Sequence, residues 1–548
     1  MPPAPEVALV AMPFISSRRP SIQLGLLKAI ADARGYRAQT LHLNLELVPE
    51  VGLGLYEKLC EHRGPLLGEW LFAVAAFGRE QPDPQDRFLR DFPGCYPHLF
   101  EDPAAAQRTL TRLRHEVLPR YVERVAAATD WGRFLAVGFT STFQQQAASL
   151  ALARRIKAAA PHVHIVFGGA NHDGLMGQAH LEATPWIDHI VSGEADDAFP
   201  ALLDALAAGE APTAIPGVVT RQAGRVHRTE PSPPTTDLDR LPTPDYDEYF
   251  ARLAGLGQDP DAVPRPGVVL PFETARGCWW GQKHHCTFCG LNGATLKYRS
   301  KSKDRVRAEL SALARRHRSF HFEAVDNIMD HRYLTELLPE LAEAPTSYQL
   351  MYEVKANMGR AQVALLQRAG VRQVQPGIES LSTRVLGLMD KGTTAAQNVA
   401  FLRWCLHYGV EASWNLLWGF PGESEADYAQ QLELLKKLTF LPPPHGGFRI
   451  WMERFSPLFM RREQLGVRWM RPERSYAYVY PDHFDLDRLA YFFEYELQEG
   501  LPDAAYAPTK AFIRAWQAAW SGPQPPTLKY WWSPGFLQLE DRRRDPGG

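Results

Sequence analysis

The sequence predicts an α/β protein: a Rossmann-like N-terminal domain, a partial (β/α)6 barrel, and a mostly helical C-terminal segment. Three observations predict it. Short apolar or β-branched runs alternate with helical stretches through roughly the first 200 residues. The same alternation returns from Gly267 to Leu441. Between the two, the composition shifts to Pro, Asp and Thr, as in PSPPTTDLDRLPTPDYDEYF. A chain of 548 residues also outgrows a single hydrophobic core and implies about three or four domains, which excludes a small binding module.

In the first part, Val7–Val10 reads as a strand, Gln23–Arg34 as a helix and Gln39–Leu43 as a second strand. A less regular helical insertion spans about 49–128. The pattern then resumes with a strand over Phe134–Phe139, a helix over Gln144–Ala159, and a strand over His164–Phe167 that ends in Gly168-Gly169. A strand over Trp186–Val191 runs into Ser192-Gly193-Glu194, and a helix follows over Phe199–Ala208. Ligands of this architecture sit at the carboxyl ends of the strands. Residues 1–210 are therefore read as one domain. The Pro-rich stretch 211–264 cannot sustain a helix or central strand and reads as a surface linker.

The barrel is read over 265–445, with strands at Val268–Glu273, Phe320–Val325, Tyr348–Val354, Gln373–Ile378 and Glu411–Trp418. Residues 446–548 are rich in Trp, Tyr, Phe and Arg, without clear periodicity. They read as a separate cap or a docking segment, with Tyr476, Tyr478, Tyr480, Tyr491, Tyr495, Trp516, Trp520, Trp531 and Trp532 as its aromatic surface.

Composition sets limits on partners. With 60 Lys+Arg against 62 Asp+Glu the formal net charge is −2, so no global attraction to nucleic acid or anionic lipid is expected. No apolar run approaches the ~18 to 20 residues of a membrane span, and the N-terminus lacks a signal peptide, so the chain reads as soluble and cytoplasmic.

Six cysteines are too few for a disulfide scaffold, and three of them, Cys278, Cys286 and Cys289, form C-x7-C-x2-C. Three thiolates from one loop suit a [4Fe-4S] cluster better than zinc, which would need a fourth ligand from His284 or His285. A cluster held by three cysteines keeps one iron open. The loop follows an apolar strand, which places it at the carboxyl-terminal mouth of a barrel, where barrel active sites lie. A zinc-stabilised loop is the alternative.

The string ARGCWWGQKHHCTFCGLNG resembles the loop of the radical S-adenosylmethionine (SAM) enzymes that mature ribosomally made peptide natural products and carry an N-terminal cobalamin-binding domain. It departs by four residues from the commoner C-x3-C-x2-C spacing. Further segments resemble that family in order: FEAVDNIMD (322–330), YEVKAN (352–357), GIESLS (377–382), LMDKGTT (388–394), NLLWGFPGE (415–423) and RFSPLFM (454–460).

The resemblance implies that SAM chelates the open iron, with Phe288 and Gly290 near the adenine and the methionine amine. Glu379 ends a barrel strand and either bonds the methionine ammonium or a ribose hydroxyl, or forms a structural salt bridge. Asp326 and Asn327 end another strand and either reach SAM or cap the following helix. Gly290 permits close backbone approach. The turn GFPGE lies near the adenine in relatives, or is only a turn.

A Rossmann-like domain ahead of such a barrel looks like a cobalamin-binding domain. The D-x-H-x-x-G motif that supplies a lower histidine is absent, and the equivalent loop, PFISSRRPSIQLG (13–25), has no His. Cobalamin is therefore expected base-off. Thr140, Ser141 and Thr142 follow a strand and are expected near the dimethylbenzimidazole tail, while Gly168, Gly169, Gly193 and Glu194 end the next two strands. G-x-G-x-x-G does not follow the first strand, which argues against NAD.

Together these features imply a cobalamin-dependent radical SAM C-methyltransferase acting on an unactivated carbon of a precursor peptide, with flavodoxin or ferredoxin as electron donor. Two alternatives stay open: a non-methylating radical SAM enzyme that oxidises, cyclises or epimerises a peptide, and a non-catalytic Fe-S or zinc scaffold that binds peptides.

Overall fold

The computed structural model describes residues 5–543 apart from 101, 257–266 and 294. The chain divides into two compact units. The first comprises Met1–Phe272, Glu309–Ser319 and Arg471–Glu494; the second comprises Glu273–Ala308, Phe320–Met470 and Tyr495–Gly548.

The first unit is built on five parallel strands, β1 (Glu6–Ala11), β2 (Arg37–His42), β3 (Phe134–Thr140), β4 (His164–Gly168) and β5 (His189–Val191), in the order β2-β1-β3-β4-β5. In β1 every residue from Val7 to Ala11 is buried, as expected of a central strand covered on both faces. Val7, Leu9 and Ala11 share a core with Leu24, Ala31, Phe199 and Leu202, each side chain contributing roughly 1.5–3 kcal/mol by burial where it is large. The helix Ile22–Arg34 starts at Ser21, whose hydroxyl accepts from the Leu24 N–H at 3.3 Å, and stops at Gly35 with φ +98°. The helix expected from Gln144 begins at Gln146 instead, because Phe143 and Gln144 have φ of 21° and 37°.

Between β2 and β3 the chain is helical as expected: Asn44–Val51, Leu53–Glu61, Leu67–Phe77, Arg87–Asp91, Pro103–Arg112 and Leu118–Ala127. The helix Leu67–Phe77 is almost wholly buried. Arg114 is fully buried over the Trp70 ring, 4.3 Å from its centroid, and its guanidinium donates to Gln81 and to the Asp83 carbonyl at 2.6 and 3.1 Å and pairs with Asp86 at 3.1 Å. Among the described residues no helix is long and apolar enough to cross a membrane.

Two expectations fail here. The stretch 211–264 is not a linker where the structure describes it. Strands Val218–Gln222 and Arg225–Arg228 form an antiparallel hairpin that extends the first sheet beyond β5, and the helix Asp247–Gly255 buries Tyr249 and Leu253. The missed signal is Ala223-Gly224, with φ of 48° and 76°, a two-residue turn that joins two short alternating runs. Residues 257–264 of that stretch lie outside the described residues.

The C-terminal hundred residues are neither one cap nor mostly helical. Arg471–Glu494 belongs to the first unit, where the Tyr480 ring meets Phe77 and His180 and the Tyr478 hydroxyl donates to Asp91 at 2.7 Å. The rest carries strands as well as the helix Ala507–Ser521, including the hairpin Leu528–Ser533 and Phe536–Asp541 turned at Gly535, φ +91°. Trp516 and Trp520 both donate from the indole to the Thr439 carbonyl, at 3.0 and 2.7 Å, whereas Trp531 and Trp532 are exposed on the hairpin. The aromatic set therefore divides among three places, because spacing along the chain says nothing of which surface each ring covers.

The second unit holds parallel strands β6 (His321–Ala324), β7 (Gln349–Val354), β8 (Val371–Pro376) and β9 (Glu411–Ala412), adjacent in that order. The expected strand 411–418 splits in two. Leu416–Trp418 pairs with Gly447–Arg449 and meets Glu379 through a single bridge. The strand read at the start of the barrel, Leu270–Phe272, falls at the end of the first unit.

The segment GFPGE serves the fold. The Glu423 carboxylate is buried and accepts from the Gly419 N–H (2.9 and 3.1 Å), the Phe420 N–H (2.9 Å) and the hydroxyls of Tyr428 (2.5 Å) and Tyr506. Glu423→Ala strands four donors in a dry site and should lower stability by about 2–3 kcal/mol; chemical denaturation followed by circular dichroism measures it.

Candidate functional site

The cysteine loop is pinned to the barrel by its own motif residues. Gly277 has φ +78° and lies so close to the Lys297 carbonyl that any Cβ would collide. Trp279 donates from its indole to the Met329 carbonyl at 3.1 Å, and Trp280 to the Asp390 carbonyl at 2.8 Å. The Trp280 ring lies on Gly392, φ +66°, where a Cβ would collide with it. The Thr287 N–H and hydroxyl donate to the carbonyls of Met389 and Leu388 at 2.9 and 2.8 Å. The C-W-W-G and L-M-D-K-G strings are thus two halves of one packing interface.

That interface places Cys278, Cys286 and Cys289 on one open cavity of about 220 Å³, lined also by Phe288, Asn327, Glu353, Lys355, Glu379 and Lys391. All three are free thiols. Burial pushes the Cys286 thiol above its ordinary value, and burial with the nearby Glu453 carboxylate pushes Cys289 up to about 12. Both are neutral before metal binds, so loading iron releases protons.

The donor set fits a three-cysteine cluster. The zinc alternative finds no fourth ligand, since His285 Nε2 is 2.8 Å from the Cys289 carbonyl and His284 stacks on Trp280 at 4.4 Å. Among the described residues no three His, Cys, Asp or Glu side chains converge on a single-ion position.

Two lysines flank the thiols. Lys391 Nζ is 3.1 Å from Glu379 Oε1. Burial opposes its charge, yet Glu379 and the Cys286 sulfur hold the ammonium above its ordinary value. Its ammonium end lies over Gly377, so a Cβ there would push it aside. Lys355 Nζ sits 3.0 Å from the Trp280 ring centroid and donates to the Lys391 carbonyl at 2.9 Å; burial lowers it to about 8. Glu353 faces the same cavity and burial raises it to about 7. Glu379 is a non-glycine residue at φ +57°, a strained conformation of the kind that clusters at functional sites.

Of the residues expected at SAM, Phe288, Asn327 and Glu379 line the cavity and Gly290 and Asp326 do not. Asn327 Nδ2 donates to Asn292 Oδ1 at 2.9 Å. Glu379 makes the ion pair anticipated as its structural alternative while still facing the cavity. The Gly290 N–H donates to Glu453 Oε2 at 2.8 Å, and a Cβ there would collide with the Arg454 carbonyl, so this glycine serves a backbone crossing. Asp326 is buried and accepts from the N–H groups of Thr274 and Ala275 at 2.7 and 3.0 Å and from the Thr274 hydroxyl, so it anchors the start of the cysteine loop. Lys355, Glu353 and Lys391 carry no chemical signal of their own in the sequence, although each lies inside a motif, YEVKAN or LMDKGTT.

In the first unit, Thr140 ends β3 opposite Gly168 of β4. A Cβ on Gly169 would lie 2.5 Å from the Ser141 carbonyl oxygen. Ser141 Oγ accepts from Asn171 at 2.9 Å, and Thr142 Oγ1 donates to Gln145 at 3.0 Å, so these hydroxyls hold the loop. Gly193 N–H donates to Asp173 at 2.9 Å, and Glu194 accepts from the Thr235 N–H at 2.8 Å. The expected residues are thus gathered at adjacent strand ends, with the glycines packing backbone on backbone. The loop after β1 is held by Glu57, which accepts from the Ser16 and Ser17 hydroxyls at 2.7 and 2.5 Å, and carries no imidazole.

Residues 272–435 match the model of the Radical SAM superfamily, whose cofactors are a [4Fe-4S] cluster and SAM. Among curated proteins, an uncharacterized methyltransferase of Pyrococcus horikoshii is 27% identical over 330 residues, 58% of this chain and 68% of that one. An anaerobic magnesium-protoporphyrin IX monomethyl ester cyclase of Rubrivivax gelatinosus is 24% identical over 295 residues, 51% and 49% of the two chains. The fold is similar to that of the radical SAM methyltransferase TsrM from Kitasatospora setae, solved with cobalamin and a [4Fe-4S] cluster: TM-score 0.59, 14% identity, covering 94% of this chain and 91% of that one. It is also similar to the cobalamin-dependent radical enzyme OxsB with aqua-cobalamin, TM-score 0.58, 13% identity, 90% and 65% covered. The α/β fold read from the sequence, a Rossmann-like domain ahead of a barrel, is therefore the observed fold.

Two outcomes follow. Gly392→Ala should displace Trp280 and lower the iron retained after reconstitution at least severalfold, measured by metal analysis. Burial holds Asp326 at about 7, above its unfolded value, so the native state binds the extra proton and stability falls as pH rises from about 4 to 7. Asp326→Asn should flatten that slope in denaturation curves taken across the window.

Proposed function

We propose that this chain is a cobalamin-dependent radical SAM C-methyltransferase whose substrate is a ribosomally made precursor peptide. The observation that carries the reading is the convergence of Cys278, Cys286 and Cys289 on one cavity with Lys391, Glu379 and Lys355, inside the segment that matches the Radical SAM superfamily. Bound together, the cluster, SAM and cobalamin supply hydrogen abstraction from an unactivated carbon and delivery of a methyl group. In this reading the three cysteines hold the cluster, and Phe288, Asn327 and Glu379 face SAM. The ammonium of Lys391, fixed by Glu379, is placed to meet a carboxylate. Lys355, lowered to about 8 by burial, is held on Trp280 beside it.

In this reading cobalamin is held at the ends of β3, β4 and β5, with no histidine from the loop after β1 beneath the metal. In the same reading Thr140, Ser141, Thr142, Gly168, Gly169, Gly193 and Glu194 are the residues nearest to it. What supports cobalamin is the similarity of fold over nearly the whole chain to two cobalamin-bound enzymes. What supports a peptide substrate is the ordered set of motif resemblances, together with the exposed aromatic hairpin at Tyr530, Trp531 and Trp532. The similarity to a cyclase favours a second reading, a radical step without methylation.

Anaerobically reconstituted protein should hold about four irons, and Cys286→Ala should lose both the iron and reductive SAM cleavage. With hydroxocobalamin, the cob(II)alamin EPR spectrum should lack nitrogen superhyperfine splitting. SAM carrying a deuterated methyl group, a low-potential reductant and the peptide encoded beside the gene should give a labelled methyl on a peptide carbon. A peptide altered without any mass gain from SAM would favour the second reading.

A further inference from the structure

The helical insertion between β2 and β3 is tied to two of the loops at the carboxyl ends of the first sheet. Glu57, on the helix Leu53–Glu61, gives both carboxylate oxygens to the loop after β1: Oε2 accepts from the Ser16 hydroxyl at 2.7 Å, and Oε1 from the Ser17 N–H and hydroxyl at 2.8 and 2.5 Å. The Tyr56 hydroxyl beside it donates to the Ile15 carbonyl at 2.9 Å. Glu69, on the helix Leu67–Phe77, is buried and accepts from the N–H groups of Gln146 and Ala147 at 2.9 and 2.5 Å, where the chain leaves the loop after β3. These are the first donors of the helix Gln146–Ala159, which no residue of that helix can satisfy.

The two loops are also joined to each other. The Phe14 N–H donates to the Gln144 carbonyl at 3.1 Å, and the Gln145 amide donates to the Met12 carbonyl at 2.9 Å. Gln144 closes the circuit, since its side chain accepts from the Gly68 N–H at 2.6 Å and donates to the His62 carbonyl at 2.8 Å. A Cβ on Gly68 would meet Gln144 and Phe14 at 2.8 and 2.9 Å, so the insertion fits here only without a side chain. Phe143 and Gln144, with φ of 21° and 37°, hold a backbone shape that the surroundings must impose.

We propose that Glu57 and Glu69 are positioning residues for cobalamin, through which the helical insertion holds the loops after β1 and β3 in the one arrangement that admits the cofactor. The inference rests on the placement of cobalamin at the ends of β3, β4 and β5. Neither carboxylate need touch the cofactor: each acts through a loop. Observed affinity scales with the fraction of molecules whose loops are already in place, so a loosened loop weakens binding without the loss of any contact to the ligand. Because the loops are hydrogen-bonded to each other, releasing either one releases both.

The test titrates the full-length reconstituted protein with hydroxocobalamin, followed by absorbance, and maps tryptic cleavage after Arg18, an exposed residue of the loop after β1. Glu57→Ala should weaken hydroxocobalamin binding about tenfold, as if roughly a tenth of the molecules kept the loops in place. Glu57→Gln should stay within about threefold of wild type, because an amide keeps the acceptor for Ser17 and can donate to the Ser16 hydroxyl. Glu69→Gln should lose about as much as Glu57→Ala, because its two donors are backbone N–H groups and cannot accept in turn. The double variant Glu57→Ala/Glu69→Gln should bind within about threefold of the weaker single variant, as expected of one joined unit. Apo Glu57→Ala should be cut faster after Arg18 and no faster elsewhere, and saturating hydroxocobalamin should slow that cut again.

Wild-type affinity in folded Glu57→Ala or Glu69→Gln, losses that multiply in the double variant, or cleavage that rises equally at every site would each overturn the proposal. If Glu57→Ala does not fold, Ser16→Ala/Ser17→Ala removes the hydroxyl donors instead and should show the same loss; wild-type affinity there overturns it equally. A wild type that retains no hydroxocobalamin refutes the placement of cobalamin itself, and is told apart because cleavage after Arg18 in the apo variants still reports on the loop.

Discussion

The seating of Trp280 on Gly392 is the contact on which the cavity depends. A loop that must present three thiols to one place, with seven residues between the first two, has too much freedom to do so unaided. Two indoles remove that freedom. Each donates to a carbonyl that follows a barrel strand or helix, Met329 for Trp279 and Asp390 for Trp280, and Trp280 fits only because position 392 has no side chain. Thr287 adds two hydrogen bonds to the same segment. The thiols are thereby located by neutral, fully satisfied contacts, and their chemistry is free to be set by charge.

Charge is distributed with the same economy. Lys391 is kept ionised in a buried place by Glu379, and Glu379, at φ +57°, is bridged to Leu416. Lys355, close by, is held against an aromatic face and a backbone carbonyl and is the more easily deprotonated of the two. One lysine is thus committed to a carboxylate, while the other is held chiefly by a ring. A cavity with one fixed and one adaptable cation suits ligands that bring their own negative charge, whether thiolate-bound metal or carboxylate.

Much of the fold was legible because the physics was local. Apolar runs such as Val7 to Ala11 are buried on both faces and can be read as strands without knowing their neighbours. The cysteine loop was legible because three thiols in twelve residues have few other uses. What escaped depended on distant partners. The hairpin at Val218–Arg228 is invisible in a Pro- and Thr-rich stretch unless Ala223-Gly224 is recognised as a turn. Nothing in Arg471–Glu494 shows that it packs with the first unit, because Tyr478 meets Asp91 across 387 residues of chain. Lys355, after a strand, and Lys391, in the turn after the helix Thr383–Leu388, escape because a single lysine in such a place reads as solvated surface until its burial is known.

The motifs themselves divide by what they touch. Phe288, Asn327, Lys355, Glu379 and Lys391 face the cavity. Trp279, Gly290, Asp326, Gly392 and Glu423 are not among its lining residues: they hold a loop, permit a crossing or satisfy a turn. Asp326 illustrates the distinction. A carboxylate at a strand end beside a cysteine loop has the chemistry of a ligand contact, yet both its oxygens are occupied by Thr274 and Ala275. The carboxylate of Glu379 lines the cavity and is paired there with Lys391. Position along the motif is alike in the two cases. The difference is whether backbone donors of a neighbouring loop arrive first, and only the packing of that loop decides it.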